Sequence, residues 1–324
     1  MSVRTARLSG APLKPVDSSI PPWPGDIVRV RGTEVFIRTT PATGPDPEPA
    51  LYVHGLGGAS TNWTDLADLL SGTLAGEALD LPGFGRSGPG TDYSVEGHAR
   101  TVIALLEARG GQPVHLFGNS LGGAVSVVVA GTRPDLVRTL TLVSPAMPWL
   151  RPRRGADVTM PLLLVPGLDG LVQHRLDSWS AERRAWATIE LCFGDPSSVP
   201  ANRFAEAVEE VARRRELPYV TDAFMASFRG LVRSYAAAGE RSLWRRAATV
   251  QAPTLVVWGD RDKLVPVRIA PRVASSVPDA RLLVLPEIGH VAQLEDPEVV
   301  ARAFLALRED AVRARAEQRA PRPR

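Results

Sequence analysis

An α/β architecture is what this sequence predicts: a mostly parallel central sheet of about eight strands, flanked by helices, with a helical cap inserted after the sixth strand. Three patterns carry that expectation. Short apolar runs of strand composition alternate with helical segments, the alternation lapses once between about Pro145 and Thr249, and a G-x-S-x-G pentapeptide sits where one run meets the next helix.

The elements follow in order. Residues 1–24 are rich in Pro and Ser without periodicity and read as a tail or an arm packed on the surface. Ile27–Val30 and Glu34–Thr39 alternate apolar and polar residues around Arg31-Gly32-Thr33, the pattern of a hairpin at a sheet edge. The buried runs are Ala50–His54, Ala78–Leu81, Val114–Phe117, Leu140–Val143, Thr254–Trp258 and Arg281–Leu285. Helices are expected at about Trp63–Leu70, Val95–Arg109, Leu121–Thr132, Val267–Ser275 and Pro297–Leu307. The core thus spans residues 25–145 and 250–310, and the cap spans 146–249 with amphipathic pieces at Asn202–Arg215 and Asp222–Ala237. Residues 311–324, rich in Arg, Ala and Pro, read as a disordered basic tail.

Composition narrows the function classes. At 324 residues, 44% hydrophobic and 23% charged, the chain can bury a large core. Its longest apolar stretches fall well short of the roughly 20 residues a membrane-spanning helix needs, so no span is expected. Pro12, Pro15 and Asp17 interrupt any apolar run near the basic N-terminus, which argues against a signal peptide and for a cytoplasmic setting. Cys192 is the only cysteine, which excludes a disulfide framework and a thiolate metal cluster and is read as buried packing. The net charge is only +3 and the arginines are scattered, so no nucleic-acid partner is expected. Only Lys14 and Lys263 are lysines; the Arg, Ala, Pro and Gly bias is that of a high-GC coding sequence.

Gly118-Asn119-Ser120-Leu121-Gly122 lies between the run Val114–Phe117 and a helix of small residues, the context a nucleophile elbow requires. A sharp strand-to-helix turn would project the Ser120 hydroxyl above the sheet, beside a helix N-terminus that favours negative charge. A serine hydroxyl needs a base, and among five histidines only His290, in Glu287-Ile288-Gly289-His290 after the last strand, is placed to serve. The carboxylate that orients the histidine should follow the run Thr254–Trp258, where Asp260 and Asp262 both stand. Asp262 is the assignment; Asp260 is read as capping the turn or pairing with Arg261. An oxyanion site is expected from the backbone N–H of Leu56, in His54-Gly55-Leu56-Gly57-Gly58, together with that of Leu121.

Gly83-Phe84-Gly85-Arg86-Ser87-Gly88 formally satisfies the dinucleotide pattern G-x-G-x-x-G. Pro82 precedes it and Pro89-Gly90 follows it, so no helix opens where a pyrophosphate would sit. With no phosphate loop and no metal-ligand His cluster, neither cofactor nor metal is expected.

With these residues assembled, the sequence resembles the α/β-hydrolase superfamily over about residues 26–310. His54 to Gly58, Asp80-Leu-Pro-Gly-Phe-Gly-Arg-Ser87, Gly118 to Gly123, Gly259 to Pro266 and Gly289-His290 look like its ordered signatures. The Gly-Asn-Ser-Leu-Gly-Gly elbow is similar to that of meta-cleavage C–C bond hydrolases, though Val291 stands where those often carry tryptophan. The expected activity is a Ser120–His290–Asp262 serine hydrolase cleaving a carboxylic ester of a small or medium apolar acyl compound through an acyl-enzyme; the alternatives are a C–C bond hydrolase of a ring-fission diketone and a low-turnover ligand-binding member of the same fold. Leu163, Trp179, Trp186, Phe224, Met225 and Phe228 would either give the cap an apolar pocket or pack in the cap's own core, while its arginines are read as solvated, with a substrate carboxylate as the alternative.

Overall fold

The computed structural model describes residues 3–149 and 178–319. Among the described residues nine strands form one sheet: β1 (Arg4–Thr5), β2 (Gly25–Val30), β3 (Thr33–Thr40), β4 (Glu48–Val53), β5 (Leu74–Leu79), β6 (Val114–Asn119), β7 (Val137–Val143), β8 (Thr254–Gly259) and β9 (Ala280–Leu285). Their spatial order is β1-β9-β8-β7-β6-β4-β5-β3-β2. β4 to β9 run parallel, and only β3 and β2 are antiparallel, at one edge. The expected hairpin is therefore the edge of the sheet. The one addition to the expected eight strands is β1, which pairs with β9 from within the Pro-rich arm. Two residues carry no legible period, so pairing alone defines this strand.

The helices of the described residues are α1 (Thr64–Leu69), α2 (Val95–Ala108), α3 (Leu121–Thr132), α4 (Ala181–Cys192), α5 (Ala201–Arg215), α6 (Val220–Tyr235), α7 (Leu243–Ala248), α8 (Ala270–Ser276), α9 (Ala292–Glu295) and α10 (Pro297–Arg319). Between β7 and β8 the described residues hold α4 to α7 and no strand. Leu163, named above for the pocket, lies outside the described residues. Helix α10 continues to Arg319, past residue 310 where a disordered tail was expected. Its last turns are built from Ala, Arg and Glu, good helix formers, and Arg313 reaches back to Asp310.

Burial on both faces of the sheet explains the continuous apolar runs. Successive side chains of a strand point to opposite faces, so Leu51 and Val53 join one core with α2, α3, α7 and α8. Ala50 and Tyr52 join the other with α1, α9 and α10. Tyr52, Trp63, Phe117 and Phe304 stack there as a chain of ring contacts between 4.7 and 6.4 Å. The carboxyl ends of β4, β6, β8 and β9 are held by this double core, and the candidate residues leave from those ends.

Candidate active site

Ser120 follows β6 directly and precedes α3, with φ 52° and ψ −116°, a conformation that costs a non-glycine residue of order 1–3 kcal/mol. The turn is over-determined. Ser120 N–H donates to Val143 O at 3.0 Å, and Ser120 O accepts from Ala124 and Ala146 at 3.1 and 2.9 Å. Close packing needs glycine on either side: a Cβ on Gly118 would lie 2.4 Å from Gly122 O, and one on Gly122 would lie 2.2 Å from Val53 O.

Asp262 and His290, 28 residues apart in sequence, meet at 2.8 Å between Oδ2 and Nδ1. Both are buried, at 2% and 3% exposure. Oδ1 of Asp262 is committed to the N–H groups of Leu264 and Val265, each at 2.9 Å, so the carboxylate cannot rotate away from the imidazole. As an acceptor it fixes the proton on Nδ1 and leaves a lone pair on Nε2. Asp260 is exposed and caps the histidine loop by accepting from Glu287 N–H at 2.7 Å. Arg261 pairs with Glu287 rather than with Asp260. The geometry thus brings Asp262, not Asp260, to the imidazole.

Asn119 links the elbow to the histidine loop. Its Nδ2 donates to Val143 O and to His290 O, both at 3.1 Å, which sets the backbone of His290 beside the residue that precedes Ser120. Among the described contacts the Ser120 hydroxyl makes no hydrogen bond to Nε2, and such bonds are often long until substrate seats. Glu295 secures the same loop from α9, accepting from Gly289 and Gly194 N–H, and burial holds its carboxyl above the usual range. His290 N–H donates to Cys192 O at 2.6 Å, so the end of α4 rests on the loop. The Cys192 thiol is pushed up to about 12, chiefly by burial. It carries no nucleophile at neutral pH.

The loop after β4 faces the elbow, since a Cβ on Gly55 would sit 3.1 Å from Ser120 Cβ. Leu81 N–H donates to His54 Nε2 at 2.9 Å, which puts the imidazole proton on Nδ1; that proton goes to Gly55 O at 2.7 Å. Burial lowers the His54 pKa and keeps the ring neutral. Gly55 O also accepts from Gly58 N–H at 3.0 Å. In a trans peptide the N–H points opposite to the C=O, so anchoring Gly55 O aims Leu56 N–H the other way. Leu121 N–H, first in α3, has no intrahelical acceptor. Neither amide donates to a carbonyl in the turn and loop contacts described.

The segment that mimics a dinucleotide motif wraps an aspartate. Asp80, 1% exposed, accepts from Ser60 and Arg86 N–H at 2.6 and 2.7 Å, and Gly85 (φ 51°) packs so closely that a Cβ would fall 2.1 Å from the carboxyl. Ser87 Oγ donates to Asp80 O and accepts from Phe36 N–H. These glycines serve a turn that supports His54, with no helix N-terminus opened.

Of the residues expected to line an apolar pocket, Phe224 packs on Gly57, 3.2 Å from where a Cβ would be, and Met225 and Phe228 are buried. Trp186 is 41% exposed and stacks edge-on against Phe204, and Trp179 lies under the Arg183 guanidinium. Trp186 thus packs against α5, and Trp179, which precedes α4, is half-buried. Three of the four arginines of α5, expected to be solvated, instead bond to the core, while Arg215 stays exposed. Arg203 pairs with Asp65 and Glu206, Arg213 donates to Gly85 O, and Arg214 donates to Gly57 O and Gly58 O. A run of three arginines offers no sign in sequence of which carbonyls it will meet. His54, Asp80 and Asn119 do have one: each stands in a signature quoted above.

Among the described residues, no group of three or more His, Cys, Asp or Glu is arranged to hold a metal ion. No described helix is long and apolar enough to cross a membrane. The sheet order and the strand-turn-helix at Ser120 define a hydrolase scaffold, and the family model of the alpha/beta hydrolase fold matches residues 49–297: the chain belongs to that family. It is 30% identical over 264 residues to the dihydrolipoyllysine-residue acetyltransferase component of the acetoin cleaving system of Pseudomonas putida. That match covers 81% of this chain and 64% of the relative, so the chain spans under two thirds of that protein's length. It is 28% identical to lipase 3 of Moraxella sp. (strain TA144), over 81% of this chain and 78% of the lipase. It is 27% identical to 2-hydroxy-6-oxononadienedioate/2-hydroxy-6-oxononatrienedioate hydrolase 2 of Pseudomonas putida, over 81% and 88% of the two chains.

Proposed function

We propose that this hydrolase cleaves a carboxylic ester of a small or medium apolar acyl compound through an acyl-enzyme on Ser120. The observation that carries the proposal is the buried Asp262–His290 pair at 2.8 Å, tied through Asn119 to the strained elbow that presents Ser120. The Ser120 Oγ attacks the ester carbonyl carbon as its proton passes to His290 Nε2, and Asp262 stabilises the imidazolium. The carbonyl oxygen, now an oxyanion, is held by the N–H groups of Leu56 and Leu121. His290 returns the proton to the departing alkoxide, and the alcohol leaves. Water, deprotonated by the same Nε2, then attacks the acyl carbon, and the second tetrahedral intermediate releases the acid as Ser120 Oγ takes the proton back from His290. No step calls for a cofactor or a metal.

The helices between β7 and β8 act in this reading as a cap over the site, with Phe224, Met225 and Phe228 giving an apolar wall. A cytoplasmic setting remains part of the proposal. The likeness to a lipase favours ester cleavage. A second reading, hydrolysis of a C–C bond in a vinylogous ring-fission diketone, is favoured by the likeness to the nonadienedioate hydrolase. A panel of acyl esters of graded chain length, with a ring-fission ketone beside them, separates the two on wild type and Ser120→Ala. Ester turnover that vanishes in Ser120→Ala, with the fold retained, supports the first reading. Full esterase activity in Ser120→Ala overturns it, and turnover of the ketone alone selects the second. A protein that turns over neither, and whose Ser120 a fluorophosphonate fails to label, is a ligand-binding member of the fold.

A further inference from the structure

On the far side of the loop that carries Leu56, the guanidinium of Arg214 grips two consecutive carbonyls. One η nitrogen donates to Gly57 O and the other to Gly58 O, the second at 2.8 Å. Its Nε donates to Glu210 Oε1 at 2.7 Å, one turn earlier on α5. Arg213 also bonds both oxygens of Glu210, at 2.7 and 3.1 Å, and reaches Gly85 O in the turn that supports His54. These side chains are largely shielded, at 17% exposure for Arg214 and 19% for Glu210. Phe224 of α6 covers Gly57, whose φ of 73° leaves its Cα bare on that side. Residues 55–58 are thus held on their inner side by His54 and on their outer side by α5 and α6.

We propose that Arg214, oriented by Glu210, is a positioning residue for the oxyanion hole, so that its grip on Gly57 O and Gly58 O sets the aim of the Leu56 N–H. The proposal rests on the functional reading above, since only an oxyanion held by Leu56 makes that aim matter. The physical basis is the planar fork of arginine. Two N–H groups at fixed spacing meet two successive carbonyls and fix the planes of both peptides, which a single ammonium cannot do. The next anchor inward, Gly58 N–H to Gly55 O, belongs to the peptide whose carbonyl Arg214 holds, so releasing Gly57 O frees that peptide to rotate and loosens Gly55 O. Leu56 N–H shares its peptide plane with Gly55 O. Burial would raise the Glu210 carboxyl, but the neighbouring guanidinium groups outweigh it and hold the carboxyl below its ordinary value, so Glu210 stays ionised at neutral pH.

The test compares Arg214→Met, Arg214→Lys and Arg203→Met with wild type on the best ester of the panel. Arg203 leaves the same helix but clamps Asp65 and Ile20 O, away from the loop. Arg214→Met is expected to lower kcat about 10- to 100-fold with KM within about threefold, the cost of a displaced rather than deleted donor. The inhibition constant of an acyl trifluoromethyl ketone, whose adduct on Ser120 carries the oxyanion, should rise by the same factor as kcat/KM falls. Arg214→Lys should recover only part of the loss, and Arg203→Met should lose stability while keeping kcat. Equal loss of kcat in Arg203→Met, full recovery by lysine, or an unchanged ketone affinity in Arg214→Met each overturns the proposal. A wild-type enzyme whose Ser120 reacts with neither ester nor fluorophosphonate would overturn the functional reading and this inference together. A reactive wild type with an unaffected Arg214→Met would overturn this inference alone.

Discussion

Replacing Asp262 by asparagine tests the chemistry with little change of shape. The outcome follows from what each oxygen now does. Oδ1 accepts from both Leu264 and Val265 N–H, and Oδ2 accepts from His290 Nδ1. Asparagine has one acceptor oxygen and one amide nitrogen. Turning the nitrogen toward the loop would face two backbone donors with a third donor, leaving buried N–H groups unmatched at about 1–3 kcal/mol each. The oxygen therefore stays with the loop and the nitrogen faces the imidazole. An amide donor at that point requires a lone pair on Nδ1, which moves the ring proton to Nε2, where it cannot receive the serine proton. The expected loss is on the order of 10⁴ in kcat, about 5 kcal/mol of transition-state stabilisation, by analogy with other Ser-His-Asp triads. Initial rates on a p-nitrophenyl acyl ester and a thermal melt give both quantities needed, and the melt should stay close to wild type. A loss under about tenfold in Asp262→Asn, or a larger one in Asp260→Asn, refutes the reasoning.

Three further outcomes follow from the contacts. In Gly55→Ala the new methyl would stand 3.0 Å from Asn119 Oδ1 and 3.1 Å from Ser120 Cβ, so kcat should fall about 10- to 100-fold without unfolding; an unchanged kcat would mean the loop has slack to give. Arg203→Ala leaves the Asp65 carboxylate, 6% exposed, without its bidentate partner and should cost about 3 kcal/mol in urea unfolding; a cost under about 0.5 kcal/mol would show the pair to be solvated. His98, pushed down to about 3 by burial, is neutral in the fold, whereas the unfolded chain takes up a proton below about 6.5. Because U binds more protons, wild type loses stability as pH falls through that window, about 3 kcal/mol by pH 4.5, and the gap between wild type and His98→Gln should narrow accordingly. An equal gap at pH 7 and 4.5 would place the acid sensitivity elsewhere.

The sheet was legible because a strand buried on both faces must be largely apolar, as Leu116 to Phe117 and Leu255 to Trp258 are, and turns between such strands concentrate glycine. The elbow was legible because a single residue is forced into positive φ between glycines that no larger residue can replace. His290 and Asp262 could be chosen by their place after particular strands. What stayed hidden depends on side-chain reach across long sequence separations. The grip of Arg214 on Gly57 and Gly58 joins residues 157 and 156 apart, and Glu210 four residues before it suggests only a surface pair. The outward turn of Trp186 depends on Phe204 arriving from α5. β1 was unreadable for a simpler reason: Arg4 and Thr5 have neither length nor pattern, and only the free edge of β9 gives them a partner.

That leading arm touches nearly every layer of the molecule. After β1, Ser9 bonds Glu309, Arg302 reaches Ser9 O and Ala11 O, Lys14 meets Asp68, Asn202 and Arg203 take Ser18 O and Ile20 O, and Arg38 takes Trp23 O. Arg7 to Asp310 spans 303 positions of sequence. The contacts of Arg7 and Ser9 with α10 can therefore form only once residues 309 and 310 have been made, whereas those of Trp23 with Arg38 and of Lys14 with Asp68 close much shorter loops. One short segment is thus fastened in two stages, its later residues to near neighbours in sequence and its β1 end across the largest loop closures among its contacts.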